Sequence, residues 1–294
     1  MNHITKKLLV LLIFTLTIYA CNRQEKASTK AGVTNNSGNH KATTYGDNAE
    51  AGNYKKINGI NLYYEIYGTG KPLIFLHGNG GSIKSASDRI DYFRRYFNVI
   101  AIDSRGHGKS IDTTTKELTY VQMANDIKIL LDSLNIDSAY VSGQSDGGIL
   151  GLLLAINYPN KISKLATYGA NIFPGKQAVY DEFDKLVLDT LRVTKDVKKK
   201  RLYALLAYQP NITENDLHKI KCPVLVMSGD RDIIRLEHSI QIFNNIDNAN
   251  FFVMPGATHY GARQKPELFN MVLMDFFKKP FSKLSTVDMV NGKN

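Results

Sequence analysis

Along the chain, short continuous apolar runs alternate with longer stretches whose apolar positions recur every three or four residues. "INLYYEIYG" (60–68) alternates as a strand does, while "KPLIFLHG" (71–78) and "NVIAID" (98–103) are compact apolar runs, the pattern of strands buried on both faces. Between them, 82–97 places Ile83, Ile90, Phe93 and Phe97 at mostly helical spacing. Residues 116–134 do likewise with Leu118, Val121, Met123, Ile127, Leu130, Leu131 and Leu134. Further strands are expected at 139–142, 164–168, 223–227 and 250–254, and helices after residue 145, over 236–246 and over 266–279. Strand and helix alternate throughout, which predicts an α/β fold: a mostly parallel, doubly wound sheet covered on both faces.

One stretch breaks the alternation. Residues 171–220 contain the helical patches "VYDEFDKLVLDTLRV" and "KKKRLYALLAYQ" and no convincing strand. An ordered insertion of this length reads as a short helical cap over a site, or else as an ordinary helical connection packed on the sheet.

The N-terminus has a different character. Lys6 and Lys7 precede an apolar run over 8–18, too short for a comfortable membrane span, and Ile18-Tyr19-Ala20-Cys21 resembles a bacterial lipobox despite the less usual Tyr19. Residues 1–20 are therefore expected to be a lipoprotein-type signal peptide, with a simple signal anchor as the alternative. Cys21 is the expected lipidation site, and the mature chain an exported protein tethered to a membrane of the cell envelope. Residues 21–53, rich in Ser, Thr, Asn, Gly, Lys and Ala, are expected to form a disordered tether, because they can bury too little apolar surface to offset the entropy of ordering. Residues 54–280 then form one domain, with 281–294 a tail.

Composition narrows the function classes. The formal charge is +10 and drops by two when Lys6 and Lys7 leave with the signal. The cluster Lys198, Lys199, Lys200 and Arg201 has acidic residues spread around it, so it reads as a solvated helix face; no nucleic-acid partner is expected. The two cysteines allow no disulfide framework once Cys21 is lipidated, and neither Cys nor His spacing resembles a metal site.

The chemistry centres on "YVSGQSDGGILGLLLAI" (140–156), where a strand gives way to a helix at Ser145 between Gly143 and Gly147. In this G-x-S-x-G spacing the small flanking residues allow a sharp turn that leaves the hydroxyl exposed above the sheet edge. A serine hydroxyl is a poor nucleophile at neutral pH, so it needs a base and a group to orient that base. Hydrolases with this elbow carry the acid and then the histidine after the serine. Of the three later histidines, His218 ends the insertion, His238 sits inside the helix expected over 236–246, and His259 lies in "FFVMPGATHYG" directly after a strand, on the same edge as Ser145. The loop of "CPVLVMSGDRDII" offers both Asp230 and Asp232. Oxyanion donors are expected from the backbone amides of Asp146 and, in the loop "HGNGGS", of Asn79; His77 reads as a loop-ordering residue. "GHGKS" lacks the leading glycine of a phosphate loop, since that position is Asp103, and "GTGKP" lacks the third glycine of a dinucleotide motif.

The ordered set "LHGNGG", "DSRGHGKS", "GQSDGG", "SGDRD" and "GATHY" resembles the α/β-hydrolase fold superfamily over nearly all of 58–277. The resemblance implies Ser145 as nucleophile, Asp232 as acid and His259 as base, acting without a cofactor on a small-molecule carboxylic ester through an acyl-enzyme, with amide, thioester and lactone substrates close by. The elbow carries Asp146 where S-M-G-G is commoner, as in valacyclovir-hydrolase-like esterases, which act on amino-acid esters. This implies a cationic substrate group near Asp146, against the plainer reading of a carboxylate favoured at a helix N-terminus. Carbon–carbon bond hydrolysis, acyl transfer and peroxidation on the same fold, or a non-catalytic binding module, are the competing readings.

Overall fold

The structure is a computed structural model and describes residues 43–293; the expected signal peptide, Cys21 and the first part of the tether lie outside the described residues. Eight strands form one sheet in the order β1-β2-β4-β3-β5-β6-β7-β8. The hairpin of β1 (Gly52–Ile57) and β2 (Ile60–Tyr67) is antiparallel, and β2 pairs antiparallel with β4 (Asn98–Ile102). The rest, β3 (Pro72–Leu76), β5 (Ala139–Gln144), β6 (Ile162–Tyr168), β7 (Val224–Gly229) and β8 (Ala249–Met254), run parallel with one another and with β4.

Setting aside single turns, the helices are α1 (Ser87–Phe93), α2 (Tyr120–Ser133), α3 (Asp146–Asn157), α4 (Asp181–Val193), α5 (Val197–Tyr208), α6 (Leu236–Asn244) and α7 (Pro266–Lys278). The apolar runs of the parallel strands are continuous because both faces are covered. Leu73, Phe75, Val99, Ala101, Leu225 and Met227 join the core under α1 and α7. Their neighbours Ile74, Leu76, Ile100, Ile102, Val224 and Val226 join the core under α2, α3 and α6.

Three features differ from expectation. The tether does not extend to residue 53: Tyr45 is buried and its hydroxyl donates to Asp91 Oδ1 at 2.7 Å. The fully buried Glu65 accepts from the amides of Gly46 (2.7 Å) and Asn48 (3.1 Å) and from the hydroxyls of Tyr63 (2.6 Å) and Tyr67 (2.8 Å). One carboxylate thus gains four donors, and the donors secure residues whose composition alone would leave them loose. The second difference is β1 itself. Its turn, Asn58-Gly59, takes positive φ at both positions (45° and 83°), the conformation that asparagine and glycine favour in a two-residue hairpin. The helix expected from 116 begins at Tyr120, because the Thr119 hydroxyl caps it by accepting from the Gln122 amide at 3.1 Å.

The insertion between β6 and β7 is helical, as expected, with α4 and α5 packed on each other. Of its basic cluster, Lys198, Lys199 and Lys200 are exposed, whereas Arg201 turns inward and donates to the Asp112 carbonyl (2.7 Å), Asp112 Oδ2 (2.9 Å) and the Thr115 hydroxyl (2.9 Å). Asp112 in turn meets the fully buried Arg105, which also grips Asp126 at 2.6 and 3.0 Å. This buried ion network fixes α5 to the loop after β4. The glycines of "GHGKS" serve that same loop: Asp103 accepts from the amides of Ile83 (2.8 Å) and Lys109 (2.7 Å), and a Cβ at Gly108 would sit 2.1 Å from its Oδ2.

Candidate active site

Ser145 stands between β5 and α3 with φ 54° and ψ −121°, a left-handed backbone that non-glycine residues rarely adopt. Close packing leaves no gentler path. A Cβ at Gly143 would lie 2.1 Å from the Gly147 carbonyl oxygen, and one at Gly147 would lie 2.2 Å from that of Leu76. The bend is locked by the Ser145 amide donating to the Tyr168 carbonyl (2.8 Å), and by the Gly148 and Ile149 amides donating to the Ser145 carbonyl (2.8 and 3.1 Å).

Asp232 and His259 meet on the same rim. His259 Nδ1 lies 2.6 Å from Asp232 Oδ1, with both residues buried. A carboxylate only accepts, so Nδ1 carries the proton and Nε2 is left as a free acceptor. The Ile234 amide donates to the same Asp232 oxygen at 3.1 Å. Both rings of contact close on Gly169, just past β6. A Cβ there would be 2.8 Å from the His259 imidazole and 3.0 Å from Asp232 Oδ2, and the preceding residue's carbonyl is the one that receives the Ser145 amide. The ends of β5, β6 and β7 and the loop after β8 therefore place Ser145 and the Asp232–His259 pair on one rim of the sheet, on either side of Tyr168 and Gly169.

The remaining candidates take other places. Asp230 accepts from the Ala257 amide at 3.1 Å and orders the neighbouring loop. His238 is buried in α6, where its Nε2 accepts from the Ile172 amide at 3.0 Å; His218 is exposed, 3.8 Å from Asp247. His77 orders its loop: Nδ1 donates to the Gly78 carbonyl (2.8 Å), Nε2 accepts from the Ser104 amide (3.0 Å), and burial pushes its pKa down to about 4, so it is neutral.

Gly78 passes so close to Ser145 that a Cβ there would be 3.1 Å from the Ser145 Cβ, which brings the Asn79 loop alongside the hydroxyl. Among the described residues, neither the Asn79 nor the Asp146 amide donates a hydrogen bond to the protein. Both are free to meet an oxyanion, the second from the first residue of α3. The Asn79 side chain is committed elsewhere, donating to Asp146 Oδ2 (2.9 Å) and to the Leu202 carbonyl of α5 (3.3 Å). It thus joins oxyanion loop, elbow and cap.

The Asp146 carboxyl is buried, and desolvation raises its pKa against the opposing pull of His107 and of hydrogen bonds from Asn79 and Tyr120. His107 donates from Nδ1 to the Arg105 carbonyl at 3.0 Å, which leaves its Nε2 as an unpaired acceptor on the Asp146 side. Tyr120 carries no motif, and His107, although it falls within "DSRGHGKS", was not singled out from the sequence. Nor was Arg89, whose Nη1 donates to Gln144 Oε1 at 3.1 Å while Gln144 Nε2 donates to the His259 carbonyl at 2.9 Å. The sole sequence signal for Gln144 was its place beside Ser145. Among the described residues no cluster of three or more His, Cys, Asp or Glu could hold a metal ion.

A parallel sheet wound on both faces, with a serine elbow after its fifth strand and an Asp–His pair on the same rim, defines the α/β-hydrolase class. The model of the α/β hydrolase fold matches residues 71–192. RutD of Caulobacter sp. (strain K31), whose name gives it carbamate hydrolysis, is 27% identical over 257 residues, which is 73% of this chain and 95% of its own length. Human serine hydrolase BPHL is 27% identical over 255 residues, 76% of this chain and 84% of its own. The solved structure of Est816, described as an N-acyl homoserine lactone degrading enzyme, superposes with a TM-score of 0.65 at 24% identity, covering 76% of this chain and all of that one. The chain has the α/β-hydrolase fold, and the relatives it resembles in sequence are hydrolases.

Proposed function

We propose that this enzyme is a serine hydrolase that cleaves small carboxylic esters through an acyl-enzyme. The observation that carries the reading is the 2.6 Å contact of His259 Nδ1 with Asp232, which turns Nε2 into a base on the rim where the strained elbow presents Ser145. In this scheme Nε2 takes the Ser145 proton as Oγ attacks the ester carbonyl, and the oxyanion is met by the amides of Asn79 and Asp146. The proton passes to the departing alkoxide as the C–O bond breaks. Water, deprotonated by the same Nε2, then releases the acid and restores Ser145. Hydrolysis of a p-nitrophenyl short-chain ester tests this. Ser145→Ala should lower kcat by at least about 10³-fold with the fold intact, and full activity in that variant would remove the nucleophile assignment.

The elbow's likeness to amino-acid esterases adds a narrower reading, in which a substrate ammonium approaches Asp146. Its support is the Asp146 carboxyl at the elbow, which forms no ion pair with Lys or Arg among the described residues, and a preference for aminoacyl over plain acyl esters is the expected result; equal rates on both would reject it. The lipobox-like Ile18-Tyr19-Ala20-Cys21 supports export and tethering to the cell envelope by lipid on Cys21. Incorporation of labelled palmitate, abolished by Cys21→Ala, is the expected outcome, and a protein never labelled would contradict it.

A further inference from the structure

We infer that Arg89 and Gln144 are positioning residues, a two-step relay that holds the catalytic histidine's backbone against the nucleophile elbow. The inference rests on the serine-hydrolase reading above. Arg89 sits on α1 at 6% exposure, with a guanidinium that hydrogen-bonds no carboxylate. Its Nη1 donates to Gln144 Oε1 (3.1 Å), its Nη2 donates to the Ser85 carbonyl (3.3 Å), and its Cζ lies 6.0 and 5.6 Å from the rings of Phe75 and Phe269. Burial lowers its pKa to about 10, which still leaves it charged at neutral pH. Burying a cation without an ion pair is costly, so a structural role in general stability is a poor explanation for it.

Its place in the hydrogen-bond pattern explains it better. A glutamine amide has a donor end and an acceptor end, whereas a guanidinium only donates. Arg89 therefore fixes which way the Gln144 amide faces: Oε1 toward Arg89 and Nε2 toward the His259 carbonyl at 2.9 Å. Turned the other way, Gln144 would set oxygen against oxygen. Gln144 is covalently next to Ser145, so the bond measures the reach from nucleophile to base directly. His259 is then fixed at two points, its ring by Asp232 and its backbone by Gln144. The loop has a separate anchor in the Tyr168 hydroxyl, which donates to the Thr258 carbonyl at 2.6 Å. Loss of Gln144 should therefore displace the imidazole without releasing the loop, and a displacement of about 1 Å is enough to cost roughly 10²-fold in rate.

The test is the rate at which a fluorophosphonate labels the full-length protein, measured with kcat, KM and melting temperature. Gln144→Glu keeps the size and the bond to Arg89 but withdraws the donor to His259. Labelling and kcat should fall about 10- to 100-fold, with KM within about threefold and the melting temperature held. Gln144→Met, which removes the donor without adding charge, gives the same reading if the glutamate variant does not fold. Arg89→Met should lower the labelling rate alone, yet add less than about twofold in the Gln144→Met background, because it acts through Gln144. Wild-type labelling rates in the Gln144 variants, or losses that multiply in the double variant, would overturn the relay. A failure of the unsubstituted protein to label would instead overturn the serine-hydrolase reading itself.

Discussion

Two aspartates two positions apart in one loop differ in what they touch. Asp232 orients His259, while Asp230 braces Ala257. Asp232→Asn preserves shape but favours the wrong imidazole tautomer, so kcat should drop by about 10³- to 10⁴-fold, while Asp230→Asn should stay within about tenfold; steady-state ester hydrolysis reads both. The glycines beside Ser145 respond differently. Gly143→Ala drives a methyl into the Gly147 carbonyl, which must shift backbone, and urea denaturation should reveal a loss of about 3 kcal/mol or more. The placement of Ser145, His259 and the Asp230–Asp232 loop at strand ends was legible because each follows a strand in an ordered motif, and the contact with His259 then separates Asp232 from Asp230. Tyr120 and Arg89 were not, since each is one polar residue in an ordinary helix, and His107, though inside a quoted motif, likewise takes its meaning only from what folds against it.

At the level of elements, the parallel strands were legible because burial on both faces leaves unbroken apolar runs. β1 was not, because its burial pattern is mostly exposed and its polar residues merged with the tether. The Asn58-Gly59 turn was the signal that could have found it. The cap was legible as helices but not in its attachment, which depends on Arg201 leaving a basic run to reach Asp112. Arg201→Met should therefore cost about 1–3 kcal/mol by urea denaturation and make α4 and α5 the first segments cut in limited proteolysis. Proteolysis beginning in the sheet domain instead would mean that the cap is held by its apolar contacts alone.

For the whole molecule, three buried histidines, His77, His107 and His238, have pKa values pushed down to about 4 by desolvation. Their folded values lie below the unfolded value near 6.5, so the unfolded chain takes up protons first. Stability from these groups is complete above about pH 6.5 and is lost as pH falls toward 4, by up to about 1.4 kcal/mol per pH unit for each histidine. Urea unfolding across that range should show the decline, and His238→Gln, which keeps an acceptor for the Ile172 amide, should flatten it by one proton's contribution. The fold's central claim remains that one sheet edge makes a single hydroxyl reactive. Peptide mass spectrometry after fluorophosphonate treatment measures it most directly: one adduct per chain, on the peptide containing Ser145, is the predicted result, and an unmodified Ser145 peptide in folded protein, or an adduct on another residue, would contradict it.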